Sequence, residues 1–124
     1  MGIKSAAKQL VRTALETATN ILSSNKVGRI VFEQMVNQSM ERTRLVNYQG
    51  LKMRFSVPNQ LNHFRVTTFA TKEPETLAWI DRLPEDCVLW DIGANVGLYT
   101  VYAALRRKCH VVAFEPSVFN LELL

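Results

Sequence analysis

The sequence predicts an α/β protein whose parallel sheet follows a helical region and a short β-hairpin. Three observations carry this. The run VLWDIGANVGLYT at 88–100 reads as a buried strand that enters a glycine-rich turn and then a helix. The run VVAFE at 111–115 reads as a second strand with an acidic end, and the 24-residue step from Asp91 to Glu115 leaves room for one crossover helix and a return strand. Upstream, apolar residues recur at three- and four-residue steps, the helical period.

Taken in order, Ile3, Ala7, Leu10, Ala14, Ala18 and Ile21 form one stripe, widened by Val11, Leu15 and Leu22. Ser23, Ser24, Asn25 and Gly28 punctuate it, and a second helical pattern runs through Ile30, Val31, Met35, Val36 and Met40. Such a pair can lie on a membrane, bind a partner helix or cover a sheet face. The stripe is alanine-rich and lacks the bulky aromatic side of interfacial helices, which favours cover. Residues 45–57 alternate around Gln49-Gly50 and stop at Pro58, the pattern of two short strands and a turn. Glu73-Pro74-Glu75 opens a further helix, with proline in its first turn and acid near its positive end. Leu77, Trp79 and Ile80 are its expected packing face, and Pro84-Glu85-Asp86 ends it. We divide the chain into a helical and hairpin region at 1–57 and an incomplete ligand-binding domain from 58 to 124.

The turn after the first parallel strand carries the chemistry. Asp91 stands where the strand ends, so its carboxylate can face the crevice in which α/β sheets bind ligands. Gly93 and Gly97 permit positive φ and close backbone approach. Ala94 is small, and Asn95 tolerates the left-handed region. The helix that follows offers free N–H groups and a partial positive charge. A dinucleotide site prefers G-x-G-x-x-G, and Gly93-Ala94-Asn95-Val96-Gly97 departs from that spacing. An acid just before the glycines repels a pyrophosphate but suits an ammonium group, such as that of S-adenosyl-L-methionine. Glu115 can accept two ribose hydroxyls, since a carboxylate has two acceptor oxygens. Glu73 can face the same pocket, although acidity at a helix start explains it equally well.

Trp90-Asp91-Ile92-Gly93-Ala94-Asn95-Val96-Gly97-Leu98-Tyr99-Thr100, then Val112-Ala113-Phe114-Glu115-Pro116-Ser117 and Asn120, resemble the FkbM-type S-adenosylmethionine-dependent methyltransferases. The run at 65–81 is similar to that family's lead-in to its first strand. The resemblance covers residues 58–124. It implies the start of a class I methyltransferase fold, a Rossmann-like, doubly wound sheet flanked by helices. It also implies methyl transfer from S-adenosylmethionine to a hydroxyl oxygen of a glycan or small molecule. Carried over by position, Asp91, Gly93, Ala94, Asn95 and Gly97 would line the methionine part of the cofactor and Glu115 would hold the ribose. No residue matches the family's adenine-contacting segment, acceptor pocket or catalytic base, so the catalytic residue is not named. The alternatives are a fragment of an NAD-binding oxidoreductase and a non-catalytic interaction module working through its helices.

Composition bounds these readings. With 124 residues the chain is short for the implied fold; we expect the front end of a longer protein or one that relies on a partner, and an inactive chain when alone, the alternative being a short product with its own compact fold. Residues 1–57 carry nine basic and three acidic side chains, residues 58–124 six and eight. The basic residues are scattered without aromatic interleaving, which argues for a solvated helix face over nucleic acid. Cys87 and Cys109 begin neighbouring strands; free thiols are expected, and a bridge is conceivable. His63 and His110 lack metal-ligand spacing. No apolar run approaches the about 18 residues that span a bilayer. No secretory signal is visible, and Met1-Gly2 is not followed by Ser or Thr at Ala6, so the myristoylation pattern fails. A mitochondrial transit peptide is a weak second reading of the amino end, and the expected compartment is cytoplasmic. No feature of the sequence sets an oligomeric state.

Overall fold

A computed structural model describes residues 2–124. Met1 and the side chains of Gly2, Ile3 and Lys4 lie outside the described residues, and with them the first position of the apolar stripe and the Met1-Gly2 pattern. The chain forms two compact units, residues 1–39 and 40–124. The hairpin, grouped in sequence with the helices before it, falls in the second unit because β2 buries side chains there.

The first unit is a helix pair, α1 (Gly2–Ser23) and α2 (Lys26–Met40). Asn25 starts α2: its Oδ1 accepts the Gly28 N–H at 2.8 Å, an N-cap bond that satisfies one orphan donor. Gly28 is buried, and a Cβ built on it would stand 1.8 Å from the Leu22 carbonyl oxygen, so the corner between the helices has no room for a side chain. Leu10, Val11, Leu15 and Ile21 on α1 are exposed.

The second unit begins with an antiparallel hairpin, β1 (Thr43–Tyr48) and β2 (Leu51–Ser56). Its turn residues Gln49 and Gly50 both have positive φ, 45° and 82°, the type I′ geometry whose twist matches that of paired strands. Alternation along β2 buries Met53 and Phe55 and exposes Lys52 and Arg54. Next come α3 (Gln60–Thr67), α4 (Phe69–Lys72) and α5 (Pro74–Ile80). Asn59 caps α3 by accepting the Asn62 N–H at 2.9 Å. The sequence assigned no element to residues 58–72, so α3 and α4 are additions. In α5, Leu77 and Ile80 are buried as expected, but Trp79 is exposed. Three residues of helix bring Leu77 and Ile80 onto one face, and Trp79 falls off that face.

The unit ends in β3 (Val88–Ile92), α6 (Leu98–Arg107), β4 (His110–Phe114) and α7 (Val118–Leu121). β3 and β4 pair in parallel, with Asp91 opposite Ala113. This α/β unit, with a two-stranded parallel sheet joined through a helix, is compatible with part of a Rossmann-like domain. The core joins hairpin and helices through Met53, Phe55, Val66, Phe69, Leu77, Ile80, Tyr102 and Ala103. At its centre Tyr48, Phe69 and Tyr102 meet edge-to-face with centroids 5.4–5.6 Å apart. Leu89 and Val111 face this core, whereas Val88, Trp90, Ile92, Val112 and Phe114 are exposed.

Asp81 ties these pieces together. Its carboxylate accepts the Tyr102 hydroxyl at 2.7 Å, Arg106 Nε at 2.9 Å and Gln49 Nε2 at 3.3 Å, linking α6 and the hairpin turn. Cys87 and Cys109 are free thiols with their sulfurs 2.9 Å apart. Burial, then the hydrogen bond with Cys87, pushes the Cys109 thiol up to about 11. Among the described residues no helix is long and apolar enough to cross a membrane.

Candidate functional site

β3 ends at Ile92, and the next five residues turn the chain into α6. Three of them sit at positive φ: Gly93 at 84°, Asn95 at 58° and Gly97 at 75°. Asn is among the few side chains that tolerate this region, and Gly does so without steric penalty. The turn is pinned to the end of β4, because the N–H groups of Gly93 and Ala94 both donate to the Phe114 carbonyl, at 2.8 and 3.1 Å. A Cβ on Gly93 would meet no protein atom within 4 Å. Its bare backbone therefore borders open space, whereas a Cβ on Gly97 would run into the Leu124 side chain.

That open space is a cavity of about 260 Å³ between the turn and the preceding helices. Among the residues placed in the site from sequence, Glu73, Asp91, Gly93, Ala94 and Asn95 all line it. Arg65, Phe69, Lys72 and Tyr99 also stand in the wall, with Ile92, Val96 and Leu98. Asp91 is half-buried and accepts the Thr100 hydroxyl at 2.5 Å, which orients its carboxylate from the first turn of α6. Glu73 is the residue between α4 and α5; its side chain makes no cap hydrogen bond, and Lys72 Nζ lies 3.7 Å from Oε1. Burial first, and then the Glu73 carboxylate, push the Tyr99 phenol up to about 12, so at neutral pH it remains a hydrogen-bond donor.

Two expected residues stand elsewhere. Gly97 is buried at the N-cap of α6, where its positive φ starts the helix, and does not line the cavity. Glu115 follows β4, but its carboxylate is engaged by its own chain. Oε2 accepts the Asn95 N–H at 2.8 Å, and Oε1 accepts the Ser117 N–H at 2.8 Å and Asn120 Nδ2 at 3.3 Å. The Ser117 N–H, with those of Asn95 and Asn120, outweighs desolvation and holds the Glu115 carboxyl below the usual range. Glu115 thus clamps the turn between the two strands. Oε1 thus already accepts two bonds, and only Oε2, with one, keeps lone-pair capacity for a ligand hydroxyl.

Arg65 received no role from the sequence. Its Nη1 donates to Asn95 Oδ1 at 2.6 Å and to the buried Asn62 Oδ1 at 3.2 Å. It arrives from 30 residues upstream, a distance that only the fold closes. The one local signal was Asn59, whose cap starts the helix that carries both Asn62 and Arg65.

Comparison with known proteins gives partial matches. Over 73 residues, 59% of this chain, it is 27% identical to the hexuronic acid methyltransferase AglP of Haloferax volcanii, of which that stretch covers 30%. Over 35 residues, 27% of this chain, it is 54% identical to the AMB antimetabolite synthetase AmbE of Pseudomonas aeruginosa, covering 2% of that protein. The chain thus spans less than a third of either relative. No family model matches it, and no solved structure does.

Proposed function

We propose that the second unit is the cofactor-binding part of an S-adenosylmethionine-dependent methyltransferase of the FkbM type, acting on a hydroxyl of a sugar or small molecule. The observation that carries this reading is the pairing of Asp91 with the bare Gly93 backbone at one cavity. The carboxylates of Asp91 and Glu73 suit an ammonium group and oppose a pyrophosphate, which disfavours a nicotinamide dinucleotide. The similarity to a hexuronic acid methyltransferase supports both the reaction and a sugar-like acceptor.

When bound, S-adenosylmethionine supplies a methyl group made electrophilic by its sulfonium. The chain's own residues do the holding. Gly93 lets the backbone approach without a side chain, Asp91 and Glu73 take the ammonium, and Thr100 fixes the Asp91 rotamer. Such fixing restricts the reactants to one geometry, the usual main contribution to transfers of this kind.

Titration of S-adenosylmethionine into the full-length protein and its Asp91→Ala variant tests the assignment. A hydrogen bond to a charged group contributes about 1.5–3 kcal/mol, so affinity should fall roughly ten- to a hundredfold. Equal affinity in both proteins would remove Asp91 from the site.

A further inference from the structure

The cavity wall is electrically divided, and the division specifies more of the ligand than its ammonium. Glu73 and Asp91 supply two carboxylates, and Arg65 supplies a cation. Lys72 is also in the wall, but it is exposed and already paired with Glu73. Arg65 differs. It is half-buried and, among the described residues, has no carboxylate at ion-pair distance, although its charge reaches Glu115 and helps hold that carboxyl low. Both of its hydrogen bonds leave from Nη1, to Asn62 and Asn95. Asn62 is 2% exposed and is held by the helix whose first turn Asn59 caps, so the guanidinium is anchored on a fixed support. A guanidinium has five donors, and the Nε and Nη2 edge has no partner among the described residues. That edge matches the two oxygens of a carboxylate, the geometry in which arginine binds most strongly.

We propose that Arg65 is the specificity residue for an α-carboxylate, so that the cavity selects a zwitterionic amino-acid end with its carboxylate on Arg65 and its ammonium on Asp91 and Glu73. This rests on the methyltransferase reading, in which that end is the methionine moiety of the cofactor. Asn95 joins the two functions: its side chain receives Arg65 while its N–H is held by Glu115.

The test pairs a residue deletion with a ligand deletion. Full-length wild type, Arg65→Met and Arg65→Lys are titrated with S-adenosylmethionine and with decarboxylated S-adenosylmethionine, which keeps the ammonium and sulfonium but lacks the carboxylate. Wild type should bind the decarboxylated ligand at least about tenfold more weakly, the size expected for a lost charged hydrogen bond. Arg65→Met should weaken S-adenosylmethionine by a similar factor and leave the decarboxylated ligand within about twofold, because the missing partner is already gone. Arg65→Lys should restore part of the loss. If Arg65→Met weakens both ligands equally, Arg65 only shapes the Asn95 turn and the proposal falls while the methyltransferase reading stands. If wild type binds both ligands equally, the proposal falls without reference to any variant, including one that does not fold. If wild type binds neither, the methyltransferase reading fails and takes this inference with it.

Discussion

Single residues here act mainly by fixing other residues. Asp81 illustrates how this enters stability. Desolvation is the largest single influence on it and pushes its carboxyl up, but hydrogen bonds from Tyr102, Arg106 and Gln49 together bring it below the ordinary 3.8. The unfolded chain therefore binds a proton at a pH where the folded chain does not. Stability from this group is full above the unfolded value and drains away as pH falls through the lower folded value. Chemical denaturation of Asp81→Asn across the acid range should show a shallower loss of stability than wild type. An unchanged acid limb would mean that the three donors hold Asp81 no better than water does. Tyr102 answers to the same contact: burial and the Asp81 hydrogen bond raise its phenol well above the usual range, so it stays a donor.

At the scale of elements, the residues that set chain direction are few. Gly28 permits the α1–α2 corner, and Gly28→Ala would drive a methyl into the Leu22 carbonyl 1.8 Å away. Spin labels on Thr13 and Gln34 should report a changed separation in that variant, with lowered helix stability; an unaltered distance would show that the corner has slack. Much of this level was legible in the sequence because the deciding signals are local. Gln49-Gly50 gave the hairpin, the 88–100 run gave strand, turn and helix, and Pro74 gave the start of α5. What escaped was non-local. Polar residues interrupt Gln60–Thr67, so α3 shows no clear apolar stripe, yet it buries Val66 and Asn62. Residue type alone assigns Trp79 to the packing face, whereas the helical phase puts it outside. For the site, five of the seven expected residues gather at one cavity because they flank a single turn or lead into it, whereas Arg65 reaches that turn from a distant helix that sequence did not reveal.

At the scale of the molecule, the second unit covers its parallel sheet on one side only. Trp90 is 64% exposed and Ile92 79%, with Val112 and Phe114 beside them on the neighbouring strand. Parallel sheets are normally covered on both faces, and a contiguous apolar patch of this kind promotes association. The 124-residue chain should bind a hydrophobic dye and associate as its concentration rises, and Trp90→Glu should reduce both; a monomer without dye binding would contradict this. The cavity beside β3 is the proposed seat of S-adenosylmethionine. The most direct measurement is a calorimetric comparison of S-adenosylhomocysteine and NADH on the full-length protein. S-adenosylhomocysteine should bind saturably and NADH should not bind. Tighter binding of NADH would contradict this, because the Asp91 and Glu73 carboxylates would then face a pyrophosphate they should repel.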